Sequence, residues 1–251
     1  MIYADKGALA YCVMQTKAMF HSLVGDAYDI ALVYKNDICG EVLTNAALLV
    51  FPGGEDQFYD RALKGAGNEK IRHFVEGGGS FLGICAGAYY GCREIDFETD
   101  DEKIKEKREL GFFDGMAFGP LFKPYVENSH EGASAEDIYL CKSLEEFPNA
   151  EFCTLYYNGG CSFEGKWENA EILAVYDGDN PAVIQCNVGR GKVILSGVHF
   201  EFDPSLMGTE DPFLPPIMKQ IQKTNDKRRK FAKDMIGRLI TLEASCLGRR
   251  E

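Results

Sequence analysis

Three short stretches hold side chains able to do covalent chemistry. Gly83-Ile84-Cys85-Ala86-Gly87 directly follows the apolar run from Ser80 and precedes Ala88-Tyr89-Tyr90-Gly91-Cys92. Small residues on both sides of Cys85 permit a tight strand-to-helix turn that pushes the thiol out above a sheet. A helix starting just beyond it would favour the reactive thiolate. Taken alone, the stretch equally suits a small cysteine packed in a glycine-rich turn. Gly197-Val198-His199-Phe200-Glu201-Phe202-Asp203 ends another apolar run, and strand alternation puts His199 and Glu201 on one side. A carboxylate there can hold the imidazole in one tautomer, as a cysteine nucleophile's base requires. Phe51-Pro52-Gly53-Gly54 is the third stretch. Its glycines let the backbone approach a ligand, so the N–H groups of Gly53 and Gly54, with that of Ala86, make a candidate oxyanion hole. An ordinary loop opener would read the same way. Taken together, the three stretches point to attack by Cys85 on an amide or related acyl carbon.

The elements that must position these groups are legible as alternating strands and helices. Tyr28–Tyr34, Ala47–Phe51 and Ser80–Ile84 read as strands buried on both faces, with Ile2–Ala4 as a shorter first one. Val13–Leu23 and Asn68–Glu76 read as helices, the latter with Asn68 as N-cap and Gly77–Gly79 as its stop. This order implies crossovers, hence an α/β fold with a mainly parallel sheet and helices on both faces. In such sheets reactive groups collect at the carboxyl ends of strands, where all three stretches fall. Residues 92–131, with the charged run Glu94–Glu109, show no clear helical period and read as an insertion or an irregular antiparallel region. Phe152–Tyr157, Glu171–Tyr176, Ala182–Asn187 and Lys192–Val198 read as further strands. The last two flank Val188-Gly189-Arg190-Gly191, a hairpin turn rather than a phosphate loop, since no helix follows it. Residues 215–246 read as a C-terminal helical segment, and the whole chain, 1–251, as a single domain.

Composition narrows the function. A net charge of -12 argues against nucleic acid, whose binding rests on clustered Lys and Arg, and does not recommend an anionic membrane surface. A small molecule or a protein is the expected partner. Between Lys219 and Glu251 stand ten basic and four acidic residues, which suits a solvated helix face or a docking surface. No secretory signal or membrane-spanning run is visible. Nine cysteines without a Cys-x-x-Cys pair suggest free thiols in a reducing, cytoplasmic setting. His21 and His73 lie in predicted helices and His130 in a polar loop without an evident ligand partner. Neither a metal site nor a cofactor is expected.

In order and spacing, PGG, GICAG and GRGKVILSGVHFE resemble the class I glutamine amidotransferase-like superfamily. More narrowly, FPGGEDQFYDRALKGAGNEKIRHFVEGGGSFLGICAGAYYG is similar to the N-terminal domain of eukaryotic-type biotin–protein ligases, as is LYYNGGCSFE. The resemblance implies a flavodoxin-like, doubly wound sheet with Cys85, His199 and Glu201 in triad positions. It implies a substrate pocket near Tyr89, Tyr156, Tyr157, Asn158, Gly159 and Gly160. Glutaminases of the superfamily carry Gln in a G-x-C-x-G-x-Q pattern, where this chain has Tyr89. Nothing here matches a biotinyl-adenylate loop, so biotin ligation by this chain alone is not expected. The alternative to an amide or acyl hydrolase or transferase is a non-catalytic module that binds a metabolite or a protein.

Overall fold

The computed structural model describes residues 1–25, 27–141 and 152–242. In chain order, β1 (Ile2–Tyr3) leads to α1 (Ala10–Val24), β2 (Leu32–Val33), α2 (Lys35–Cys39), β3 (Leu48–Phe51), α3 (Asp56–Leu63), α4 (Ala66–Glu76), β4 (Ser80–Ile84) and α5 (Ala86–Gly91). Every residue of β3 and β4 is buried, as expected of strands covered on both faces. Their side chains alternate between two cores. Leu48, Val50, Leu82 and Ile84 pack with Val13, Met19 and Phe20 of α1. Leu49, Phe51 and Phe81 pack on the other face with Tyr59, Leu63, Ile71 and Val75 of α3 and α4.

Next come β5 (Cys92–Glu98), β6 (Lys103–Lys107), β7 (Phe113–Gly119), β8 (Ser134–Leu140), β9 (Phe152–Tyr157), β10 (Ser162–Gly165), β11 (Ala170–Tyr176), β12 (Pro181–Val188) and β13 (Gly191–Ser196). Helices α6 (Leu214–Gln222) and α7 (Asn225–Leu239) follow. The main sheet has nine strands in the order β2-β1-β3-β4-β13-β12-β11-β8-β9. From β2 to β13 neighbours run parallel, and from β13 to β9 antiparallel. The doubly wound α/β architecture is therefore present, with a parallel half that holds the strand ends of interest and an antiparallel half beside it. Helix α7 joins α1 on one face through Phe231, Met235 and Ile236. The β12–β13 turn is a hairpin, and Arg190 donates from its backbone N to Glu76 O and from its guanidinium to Gly77 O, at the end of α4.

Several elements differ from the sequence expectation. Tyr28–Tyr34 pairs only at Leu32–Val33, because β2 is an edge strand with a single partner and Tyr28 turns aside to donate to Thr241 O. Asn68 does not cap α4: the helix starts at Ala66, and Asn68 is buried, donating to Glu109 and accepting from Tyr90. Within residues 92–131 the stretch to Gly119 builds a second sheet, β10-β7-β5-β6, whose first strand comes from beyond that region, while residues 120–131 form no helix or strand. The charged run forms β5 and β6, where Glu94, Asp96 and Glu98 lie opposite Lys107, Lys105 and Lys103. This ladder puts the charges on a solvated face and leaves Ile95 for the core, a period of two hidden by charge. The C-terminal segment is two helices broken at Lys223–Thr224, and the Thr224 hydroxyl accepts from Thr154 N on β9. Its residues 243–246 lie outside the described residues.

Arg108, just past β6, locks the second sheet onto α3. Its side chain is buried and pairs with Asp56 at 2.6 Å and Glu106 at 2.9 Å. Replacing it by methionine strands Asp56, so Arg108→Met is expected to lower the unfolding free energy by about 3–5 kcal/mol. Adding Asp56→Asn is expected to restore part of that loss. Urea denaturation of the three proteins measures this, and equal midpoints for wild type and Arg108→Met would refute the assignment.

Candidate active site

Cys85 occupies the turn between β4 and α5 with φ 52° and ψ -107°. A side chain in this left-handed region carries about 1–3 kcal/mol of backbone strain. The surrounding bonds hold it there. Cys85 N donates to Ser196 O of β13 at 2.7 Å, while Ala88 N and Tyr89 N donate back to Cys85 O. The elbow closes because position 87 is glycine: a Cβ there would sit 2.1 Å from Phe51 O. Cys85 is 7% exposed, and its sulfur lies 3.6 Å from Asn158 O.

His199 and Glu201 follow β13 and are both buried. His199 Nδ1 and Glu201 Oε1 are 2.7 Å apart, and His199 N donates to Tyr156 O in an antiparallel bridge. Burial of the ring opposes its protonation. The Glu201 carboxylate, then the Cys85 sulfur, outweigh burial and raise the imidazole above its ordinary range. The same segment is anchored by Arg228 of α7, whose buried guanidinium donates to Phe200 O and Asp203. Gln15 of α1 accepts from Asp203 N. Neither anchor was visible in the sequence, since a buried arginine within a basic stretch looks like its solvated neighbours.

The glycine loop packs directly against the imidazole. A Cβ at position 53 would lie 2.6 Å from His199 Cε1 and 2.9 Å from Cys12 Sγ. Gly54 has φ 153°, and a Cβ there would overlap Gly7 O at 1.9 Å. As first residue of α5, Ala86 has an N–H with no carbonyl one turn back inside the helix to bond. Cys12 is a second thiol in this corner. Burial, then Glu201 and Cys85, pushes it well above the ordinary thiol range and keeps it protonated.

Two cavities meet at Cys85. One, about 240 Å³, holds His199 together with Tyr11, Cys12, His130, Tyr156 and Phe202. The other, about 260 Å³, runs past Ala86 and Tyr89 toward Phe97 and Tyr125. Gly54, Glu55, Tyr125 and Asn158 line both. Tyr89, at the position glutaminases give to Gln, donates its phenol to Gly159 O at 3.2 Å. Tyr157 and Gly160, expected to line the pocket, line neither cavity. Strand alternation turns Tyr157 away from Tyr156 into the core, where its hydroxyl donates to Gly160 O and accepts from Leu121 N. Gly160 brings its loop against Gly197, where a Cβ would be 1.7 Å from the carbonyl oxygen. His130, read as lacking a partner, joins the site with Nδ1 2.6 Å from Tyr156 Oη. A larger open groove of about 710 Å³ lies at the opposite end of β4, around Gly77–Ser80. Among the described residues no cysteine lines it, and its Lys70 is engaged by Gly40 O and Glu41. Among the described residues no cluster of three His, Cys, Asp or Glu is arranged to hold a metal, and no helix is long and apolar enough to cross a membrane.

The family model described as "Biotin-protein ligase, N terminal" matches residues 1–246. An uncharacterized protein of Chlamydia muridarum is 31% identical over 258 residues, spanning 96% of this chain and 95% of that one. The biotin–protein ligase of Schizosaccharomyces pombe is 30% identical over 257 residues, covering 99% of this chain but 39% of the ligase. The chain thus spans well under half the length of that relative. Among solved structures, a glutamine amidotransferase superposes with TM-score 0.56 at 24% identity, over 86% of this chain and 98% of that one. A glutamine amidotransferase from Thermotoga maritima superposes with TM-score 0.57 at 13% identity, over 96% and 97%. At such identities the likeness shows the fold alone.

The His199–Glu201 pair sets a pH dependence of stability. The unfolded chain titrates this histidine near 6.5 and the folded chain higher, so the pair's contribution is complete below about pH 6.5. It is lost as pH rises through the raised folded value. Wild-type unfolding free energy is therefore expected to fall from pH 6.5 upward more steeply than that of Glu201→Gln. Urea titrations across this window, with ring ¹⁵N shifts reporting His199, test it; parallel slopes would contradict it.

Proposed function

Because the chain belongs to the biotin–protein ligase N-terminal family, we propose that it is a cysteine-dependent amide or acyl hydrolase or transferase. Cys85 is the nucleophile, His199 the base and then the acid, and Glu201 the group that orients the imidazole. The observation that supports this best is the convergence of a backbone-strained cysteine and a buried His–Glu pair at adjacent strand ends. In the reaction, the sulfur adds to the carbonyl carbon as His199 takes the thiol proton. The oxygen, now negative, faces the N–H groups of Gly54 and Ala86, and a single such donor lowers the barrier by about 3 kcal/mol. Collapse of the tetrahedral adduct breaks the C–N bond, and His199 returns the proton to the leaving amine. Water or another acceptor then cleaves the thioester by the same steps in reverse. His130 and Tyr156 border the cavity on the imidazole side and contact what occupies it. With Tyr89 in place of glutamine, the substrate is an amide or acyl compound other than one defined by the glutaminase pattern.

The experiment is thiol reactivity in the native chain. Cys39 is exposed and provides an internal reference, while Cys85 is nearly buried. With limiting iodoacetamide at pH 7, Cys85 is expected to alkylate about tenfold faster than Cys39 despite its burial, because His199 takes the thiol proton as the sulfur attacks. His199→Ala is expected to slow Cys85 by about 10²-fold or more. Mapping the modified peptide by mass spectrometry reads both rates. A Cys85 no faster than Cys39 would leave a binding module as the reading of this fold.

A further inference from the structure

The cavity on the Ala86 side of Cys85 has an uneven charge. Glu55, Asp101, Glu102 and Glu127 line it, from three separate segments, and among the described residues no lysine or arginine does. The lysines nearest in sequence are engaged elsewhere, Lys103 by Glu98 and Lys123 by Asp100. Burial, then Glu127 and Glu102, raises the Glu55 carboxyl above its ordinary range. Asp56, at the same rim, is neutralised by Arg108.

Aromatic rings and a spare acceptor complete the cavity. Tyr125 meets Phe97 edge-on at 5.5 Å, and Phe97 meets Tyr89 at 5.9 Å. All three rings line it. Asn158 Oδ1 is buried without a hydrogen-bond partner, while its Nδ2 donates to Ser129 O. Carboxylates, π faces and an unpaired carbonyl oxygen all attract a cation. At about 260 Å³ the space falls below the ~300–1,000 Å³ of pockets for drug-sized ligands, so it takes a small group.

We propose that the substrate carries an ammonium or guanidinium group a short chain away from its scissile amide. The cation sits among Glu55, Glu102, Glu127 and the Tyr125 ring while the carbonyl reaches Cys85. This rests on Cys85 being the nucleophile. It goes further in setting the charge of the substrate: an acyl chain ending in a free carboxylate would place that anion among four others.

Three methanethiosulfonates of similar size, bearing an ammonium, no charge or a sulfonate, measure the preference without a known substrate. In each case the Cys85 thiolate attacks the sulfenyl sulfur, a mixed disulfide forms and methanesulfinate leaves. Rates at Cys85 and Cys39 of the full chain are compared after correction for each reagent's rate with a small free thiol. At low ionic strength the cation-to-anion ratio at Cys85 is expected to exceed that at Cys39 by about tenfold or more. The excess is expected to collapse in about 0.5 M salt and in Glu55→Gln/Glu102→Gln/Glu127→Gln. Glu127→Gln alone, at an exposed position, is expected to lower it in part, which covers a triple variant that fails to fold. Equal ratios at the two cysteines, with the uncharged reagent still fast at Cys85, would overturn the charge assignment alone. An uncharged reagent no faster at Cys85 than at Cys39 would overturn the nucleophile, and this inference with it.

Discussion

The backbone of Cys85 turns through a left-handed conformation that a side-chain-bearing residue avoids, and the site depends on keeping it there. Three strands share the task. The Cys85 N–H is tied to Ser196 on β13, Gly87 lies against the end of β3, and β4 delivers the chain into the turn. Gly83 belongs to the same constraint, since a Cβ there would meet Gly87 O at 2.2 Å. The energy stored in the turn is small beside the burial of those strands in two cores, so the fold holds it with ease. What results is a sulfur fixed at the top of the sheet beside an imidazole whose own position comes from two other strands.

The imidazole is fixed through the antiparallel half. Strand β9 lies at the far edge of the sheet order, yet Tyr156 at its end bonds the backbone of His199 just past β13. The edge strand therefore curls back over the strand ends, and α6 and α7 cover it. The second sheet closes the other side: β5 brings Phe97 near its end to the cavity, and the turn to β6 carries Glu102 there. The parallel half supplies Cys85 and the glycine loop, and the antiparallel additions supply the walls.

Most of the parallel half was legible because its strands are short, wholly apolar runs and its functional turns contain glycines with little freedom to be elsewhere. The His199-x-Glu201 spacing was legible for the same local reason, as both residues follow a strand that alternates. The walls were not. Ladders such as Glu94–Lys107 present charge on the face that patterning reads, and the complementary apolar face shows only once the partner strand is in place. His130, Arg228 and Gln15 join the site through tertiary contacts with no fixed sequence offset, so their types alone mark nothing. Tyr157 was assigned to the pocket along with Tyr156, although neighbours on a strand point to opposite faces.

The order in which the chain is made gives the β4–β13 pairing a further consequence. Cys85 and its turn belong to a contiguous run from β3 to α5, whereas His199 follows a strand that must insert between β4 and β12. Synthesis at roughly 5–20 residues per second separates the two residues by about 6–20 s. The parallel pairing also closes a long loop, a slow kind of contact. Throughout that interval the thiol has neither imidazole nor carboxylate beside it. A half-made chain therefore holds Cys85 without these neighbours, and the arrangement around its sulfur is complete only with the finished topology.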